Sequence, residues 1–289
     1  MIYDGKISLF LATGLSLKQI GQILSSKNKE EALKKKGKKY LERYFIWKKY
    51  KELTYSQQLK ESILPIIAGL PCTGKTTLAR EVATAFGIGN VMGGDSFRAA
   101  LREYISKEKY PEFHTSIYKA WEFFGKETKE NIVKGFVAQA KIVNQAIERI
   151  VADRGIRDGE SVVFEYLHFL PSQYNPEILN HPSFIPVVLR LDSEEEQKRR
   201  ISLRDKITHF KGNSQRFFAA LKYYRLMQAY QCQEAKKFNI PVVATDNWQR
   251  AADEVLDIIF SRIKELNKLK GQTKEVKIVK KLKKERGEK

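Results

Sequence analysis

Between Gly69 and Thr76 the chain reads GLPCTGKT, a match to G-x-x-x-x-G-K-[ST]. Glycines at 69 and 74 let backbone N–H groups turn inward around phosphate oxygens, and a helix starting at Lys75 offers its positive end to the same anion. Lys75 reaches the β- and γ-phosphates, and the Thr76 hydroxyl ligates Mg2+. The segment Gly69, Leu70, Pro71, Cys72, Thr73, Gly74, Lys75, Thr76 and Thr77 is therefore read as a nucleotide-binding loop, with ATP and Mg2+ as the cofactors it implies. Cys72 lies near a helix start, which favours a thiolate. The loop needs backbone at that position, so the side chain is read as filler.

A phosphate loop alone does not separate a kinase from an ATPase, a GTPase or a motor. Further on, NVMGGDSFRAALREY puts Asp95 at the end of a short apolar strand. Ligands of open α/β sheets bind at the carboxyl ends of strands. An Asp there accepts the proton of an attacking hydroxyl or holds a magnesium-bound water. The competing reading is that Asp95 or Ser96 caps the helix that begins near Phe97. Arg98 and Arg102, four apart, share one helix face and form a fork suited to an anionic substrate. Arg102 reads equally as a solvated surface charge. Another strand, SVVFEYLHF, ends on Glu165, with His168 three residues later. Glu165 is read as orienting the magnesium shell or substrate and His168 as a substrate contact, against a simple cap or ion-pair partner. After Asp192 comes an arginine-rich run in which Arg200 and Arg204 lie one helical turn apart, with Arg199 and Arg216 behind them. Such arginines can fold over ATP and stabilise charge on the transferring group. They can also pair with Glu194 to Glu196 on a solvated helix.

The elements that must position these residues follow from periodicity. SILPIIAGL reads as a buried strand, Lys75 to Phe86 as a helix, and Val91 and Met92 as a short strand. From Ser96 to Arg154 the pattern is mainly helical, with Ile132, Phe136, Ala140, Val143, Ile147 and Ile150 on one buried face. SVVFEY, FIPVVLRL and IPVVATD are further strands. Strands alternating with helices predict an α/β fold with a parallel sheet covered on both faces. Before it, residues 1–60 read as short helices with a Lys-rich centre, whose Leu41, Tyr44, Phe45 and Trp47 to Tyr50 dock on the body. The expected organisation is a helical segment over 1–60, a P-loop domain over 61–260 with a lid around 193–216, and a basic tail over 261–289. That tail has too little apolar content to pack firmly.

Two cysteines in 289 residues give no disulfide framework and no metal-ligand spacing. No apolar run approaches the roughly 20 residues a bilayer requires, and no secretory leader is read at the N-terminus. The expectation is a cytoplasmic protein. The net charge of +19 is uneven: residues 1–60 carry +9, residues 61–260 carry +2 and residues 261–289 carry +8. The body is nearly balanced, and only the ends offer a footprint for nucleic acid. Lys-rich ends also serve solubility alone.

The blocks GLPCTGKTTLAREVA, GGDSFRAALREYISKE, TSIYKAWEF, VVFEYLHFLP, VVLRLDSEEEQKRR, YYRLMQAYQ and IPVVATDN, in this order, resemble the archaeal 2-phosphoglycerate kinases from about Ile63 to Asn247. The resemblance implies a P-loop kinase that phosphorylates 2-phosphoglycerate on its free hydroxyl to give 2,3-bisphosphoglycerate. It implies Lys75 and Thr76 for ATP and Mg2+, Asp95 with Arg98 beside the acceptor, and the lid arginines for the phosphates. Lys75, Asp95, Arg200 and Arg204 are thus the catalytic expectation, and Arg98, Arg102, Glu165 and His168 the substrate-binding one. Two departures bear on the acceptor. Gly94-Asp95-Ser96-Phe97-Arg98 stands where that family typically has Thr-Asp-Ser-Ile-Arg, and Glu165-Tyr166-Leu167-His168 where it has Glu-Gly-x-His. The family's N-terminal region, similar to an ATP-cone, is shortened here to a Lys-rich segment. The partner expected is a small anionic hydroxyl compound. The alternatives are an RNA or nucleotide kinase that grips nucleic acid with its basic ends, and a non-catalytic ATP-binding protein. The sequence leaves the oligomeric state open.

Overall fold

The apolar run before the phosphate loop forms β1 (Leu64–Gly69), buried at every position as a central strand of a covered parallel sheet must be. It is joined by β2 (Asn90–Gly93), β3 (Val162–Tyr166), β4 (Phe184–Arg190) and β5 (Val242–Ala244). All neighbours pair parallel, in the order β2-β3-β1-β4-β5. This computed structural model describes residues 5–207, 210, 214–271, 280, 281 and 284. The chain leaves β1 toward the β2 edge and leaves β4 toward the β5 edge. Such a divergence opens a crevice at the carboxyl ends of the strands.

Helices α1 (Gly5–Leu11), α2 (Leu17–Leu24), α3 (Lys29–Lys36) and α4 (Lys38–Tyr55) precede the sheet. Within and after it come α5 (Lys75–Phe86), α6 (Gly94–Leu101), α7 (Lys129–Ile150), α8 (Pro176–Leu179), α9 (Glu194–Ile207), α10 (Ser214–Ala219), α11 (Leu221–Lys237) and α12 (Trp248–Leu266). Strand side chains alternate between faces. Ile67, Val163, Val187, Leu189 and Val243 meet α4, α5 and α12 on one side. Ile66, Ala68, Phe164, Tyr166 and Val188 meet α7 and α11 on the other. The fold is the α/β sandwich that the alternation of strands and helices predicts, and it is compatible with a P-loop kinase.

Three local differences from the sequence reading have identifiable causes. The stretch between α6 and α7 is not continuous helix: it breaks into 3-10 turns at Pro111–His114 and Ile117–Phe124. Pro111 removes a helical donor, and the carbonyls that follow are taken by side chains described below. After α7 the chain continues past Arg154, the expected end of the helical stretch, in a π-helical turn, Val151–Arg157, where Arg157 pairs with Asp153 at 2.7 Å. In α4, Trp47 and Tyr50 enter the core, whereas Phe45 stays 43% exposed and Leu41 and Tyr44 join a small N-terminal cluster with Phe10, Ile23 and Leu33.

Arg43 fastens α4 to the body. It is 2% exposed, and its guanidinium meets Asp253 at 2.9 Å and Asp257 at 2.6 Å while donating to the carbonyls of Thr13 and Asp253. Both carboxylates remain open to water, so Arg43→Met loses chiefly charge-assisted hydrogen bonds. We expect a stability loss of about 2 kcal/mol, read as a lower urea midpoint with an unchanged slope.

At the C-terminal end, α12 runs past 261 with Ile263 and Leu266 fully buried, and the Gly271 N–H donates to the Gln58 carbonyl at 2.8 Å. The basic tail beyond residue 271 lies outside the described residues except for 280, 281 and 284. The expected lid is likewise described only in part, as α9 and α10. Among the described residues no helix is long and apolar enough to cross a membrane.

Candidate active site

The phosphate loop joins β1 to α5 and is shaped for a backbone cradle. Gly69 has φ +156° and Gly74 φ +92°; a Cβ on Gly69 would sit 2.9 Å from the Leu189 carbonyl, and one on Gly74 would sit 2.5 Å from the Trp248 ring. Both positions therefore demand glycine. Gly74 is the N-cap of α5 and supplies no capping side chain, and no acidic residue stands in the first turn. The first N–H groups of α5 are left for an anion. Two side chains of α9 hold the outer wall: Gln197 donates to the Pro71 carbonyl at 3.3 Å and Arg200 to the Cys72 carbonyl at 3.5 Å. Burial pushes the Cys72 thiol up, against the opposing charges of Arg204, Lys75 and Arg200. The thiol is thus the disfavoured site for a thiolate, despite the helix start.

Glu165 stands level with Ile67 of β1 and Gly93 of β2, so the register brings it between the phosphate loop and Asp95. Its Oε2 accepts the Thr76 hydroxyl at 3.1 Å. Burial raises its carboxyl, and the Lys75 charge and the Thr76 bond act the other way. A hydroxyl and a carboxylate side by side suit a hard cation that keeps several waters and takes its other ligands from phosphate. Among the described residues no cluster of three His, Cys, Asp or Glu forms a self-sufficient metal site. The loop and the Thr76–Glu165 pair thus fit a nucleotide phosphate and Mg2+.

Asp95 is exposed in the first turn of α6, whose N-cap is Gly93. Neither Asp95 nor Ser96 caps the helix by its side chain. The Asp95 charge is felt by Glu165, Arg98 and Arg102. Arg98 and Arg102 lie side by side and both donate to the carbonyls of Phe113 and Thr115: Arg98 to Phe113 at 3.2 Å and to Thr115 in a very short bond, Arg102 at 3.1 and 2.7 Å. Neither guanidinium has a carboxylate within ion-pair distance among the described residues. Burial, then the neighbouring Arg102, push Arg98 down to about 10. A pair of cations held by neutral carbonyls is a receptor for an anion.

His168 differs from its expected place at the substrate. It is 1% exposed, beneath the arginines, with Nε2 at a long 3.4 Å from Gln139 Oε1. Burial, with the charges of Arg98, Lys75 and Arg102, keeps its imidazole neutral. The segment that carries it is pinned by its carbonyls, which accept from Gln231 at Leu167 and Phe169 and from Asn144 at His168. The Tyr166 ring, one of the two departures noted in the sequence, turns into the core and hydrogen-bonds the Tyr174 hydroxyl.

The lid arginines divide. Arg199 is a surface partner of Glu196 at 2.6 Å. Arg200 pairs with Glu196 at 2.7 Å and donates to the Thr245 carbonyl at 2.6 Å, which ties α9 to the end of β5 and to the phosphate loop. Arg204 and Arg216 stand over the Phe217 ring at 4.4 and 4.9 Å, and Arg204 also bonds the Cys72 thiol. Arg200 and Arg204 thus reach the loop, and Arg199 does not. Gln139, Gln197 and Trp248 escaped the sequence reading. Each acts across the fold on a loop distant in the chain, and no local pattern marks such a contact.

What these parts share is phosphate: a cradle that holds it, a cation site beside it, and a carboxylate with two arginines on the far side. The protein is a P-loop phosphotransferase that acts on a hydroxyl group. No protein-family model matches the chain. It is 29% identical over 232 residues to a 2-phosphoglycerate kinase of Methanopyrus kandleri, covering 80% of this chain and 67% of that protein. It is 29% identical over 238 residues to the 2-phosphoglycerate kinase of Methanocaldococcus jannaschii, covering 80% and 76%. It is 31% identical over 196 residues to the mevalonate-3-phosphate 5-kinase of Thermoplasma acidophilum, covering 68% and 95%. The chain belongs to the family of small-metabolite kinases that the mevalonate-3-phosphate 5-kinase represents, and it is similar to the archaeal 2-phosphoglycerate kinases.

Proposed function

We propose that this protein is an ATP- and Mg2+-dependent kinase of a small phosphorylated hydroxy acid, with 2-phosphoglycerate as acceptor and 2,3-bisphosphoglycerate as product. The observation that carries this reading is the Arg98–Arg102 pair, two cations without a carboxylate partner among the described residues, one helical turn from Asp95. The names of the relatives agree with it, since 2-phosphoglycerate and mevalonate 3-phosphate both already bear a phosphate.

ATP supplies the γ-phosphoryl group, and Mg2+ neutralises charge on its phosphates. In this chain the loop amides and Lys75 hold the phosphates, and Thr76 with Glu165 holds the cation. Asp95 accepts the proton of the acceptor hydroxyl as its oxygen bonds the γ-phosphorus and the bond from that phosphorus to the departing ADP oxygen breaks. Arg98 and Arg102 fix the acceptor's anionic group, which turns the reaction into one between positioned partners. Arg204, beside the loop, offsets the charge that develops during transfer, while Arg200 chiefly holds the loop in shape.

The test is transfer of label from γ-labelled ATP with 2-phosphoglycerate, mevalonate 3-phosphate and RNA offered in parallel, with and without Mg2+. We expect Mg2+-dependent label in 2-phosphoglycerate. Label in mevalonate 3-phosphate alone would move the acceptor within the same chemistry. Label in RNA alone, lost at high salt, would replace the reading with that of a nucleic-acid kinase. No label in any acceptor, with tight ATP binding, would leave an ATP-binding partner protein.

A further inference from the structure

We propose that Gln139 positions the acceptor-side arginines, and that the carbonyls of Phe113 and Thr115 occupy those arginines until an oxyanion of the acceptor replaces them. This rests on the reading of Arg98 and Arg102 as the acceptor's anchors.

The Thr115 carbonyl is the hub. It accepts from Arg98, from Arg102 at 2.7 Å and from Gln139 Nε2 at 3.2 Å. A carbonyl has two lone pairs, so three donors exceed its capacity. The Phe113 carbonyl serves the same two guanidiniums, and Arg98 Nε is buried with no partner at all. Donors in surplus over acceptors, two of the three being guanidiniums, mark a place where a further acceptor is missing. A guanidinium binds an oxyanion through opposite charge and a bidentate fork that a neutral carbonyl cannot offer, so an arriving oxyanion takes the arginines and releases the carbonyls.

Gln139 limits how far the turn moves in that exchange. Its amide also donates to the Glu112 carbonyl, so it grips the backbone on both sides of Phe113. It is fully buried on α7, and its Oε1 faces His168 Nε2, whose ring is neutral and leaves Nδ1 without a partner. Thr115 also lines a cavity of about 610 Å3 with Lys107, Pro111, His114 and Phe123, which gives the released turn and the ligand room. Tyr118 and Trp121, a few residues on, stack on Tyr223 of α11 and carry any shift toward α10.

The test uses the full chain saturated with Mg2+ and a non-hydrolysable ATP analogue, so that added anions cannot enter the phosphate loop. Hydrogen exchange of the amides of residues 112–124 is followed as 2-phosphoglycerate, or inorganic phosphate as a bare oxyanion, is added. We expect a rise in exchange there with either anion. In parallel, Gln139→Leu should raise the acceptor KM about tenfold, the equivalent of one lost hydrogen bond, with kcat and the ATP KM little changed. Gln139→Asn should recover part of that loss. Equal losses in kcat and both KM values, or unchanged exchange at 112–124 with both anions, would overturn the proposal. If the leucine variant does not fold, the exchange of the wild-type chain decides. Phosphate-dependent exchange without turnover of 2-phosphoglycerate would remove that acceptor and leave the positioning role standing. Turnover with silent exchange would do the reverse.

Discussion

Asp95→Asn lowers kcat by about a thousandfold while leaving the fold and ATP binding intact. The carboxylate is exposed in the first turn of α6 and makes no hydrogen bond or ion pair among the described residues, so nothing in the packing depends on it. Removing its charge from a helix N-terminus costs about 0.5 kcal/mol, far too little to unfold the chain. What the asparagine cannot do is accept a proton. A positioned general base contributes about a hundredfold to ten-thousandfold, and the middle of that range is the expectation. Steady-state rates, ATP calorimetry and a thermal melt separate the possibilities. If Asp95 only tempers the charge of Arg98 and Arg102, its removal would instead tighten the acceptor and leave kcat alone. Full activity of the variant would take Asp95 out of the mechanism.

The parts of the site that were legible in the sequence are those in which the chemistry and the local backbone coincide. The phosphate loop is one, because glycine spacing, a buried strand before it and a helix after it all lie within twenty residues. Glu165 is another: the end of a strand in a parallel sheet faces the crevice whatever the rest of the chain does. The arginines were legible in position but not in duty. Arg200 and Arg204 share a helix face, yet only the fold shows that Arg200 bonds a carbonyl at the end of β5 while Arg204 lies against a phenylalanine ring. His168 was misplaced for a related reason. A residue three beyond a strand end faces solvent or core according to what packs above it, and here Arg98 and Gln139, both far off in the chain, close over it. The helical reading of 96–154 failed where aromatic and apolar residues between Tyr104 and Phe124 mimic a helix face but serve short turns. The tail expected over 261–289 starts inside helix α12, because the basic count after 261 outweighed Ile263 and Leu266, which lie on its buried stripe.

Gly94→Thr should destabilise the protein by about 3 kcal/mol and cut activity as well, although threonine is the residue typical of the family at this place. A Cβ on Gly94 would stand 2.1 Å from the Tyr166 Cβ, closer than real Cβ atoms come, and a tight 3.1 Å from its Cα. Tyr166 cannot yield. Its ring is 1% exposed, meets Phe169 edge-on at 6.2 Å and hydrogen-bonds Tyr174. The start of α6 must therefore lift from β3 and take Asp95 away from Glu165. Tyr166→Gly alone should cost about 4 kcal/mol as a large core cavity. The pair together should cost less than the sum, by about 1 to 3 kcal/mol, and should recover activity relative to Gly94→Thr. Denaturant melts and initial rates of the four proteins measure both couplings, and strict additivity would sink the idea. The physical reason lies in a shared volume: Gly94 stands against Tyr166 across the contact between α6 and β3. Bulk can be placed on one side of this α6–β3 contact but not on both. That contact fixes where Asp95 stands, and on the proposed reading it is Arg98 and Arg102 that hold the acceptor.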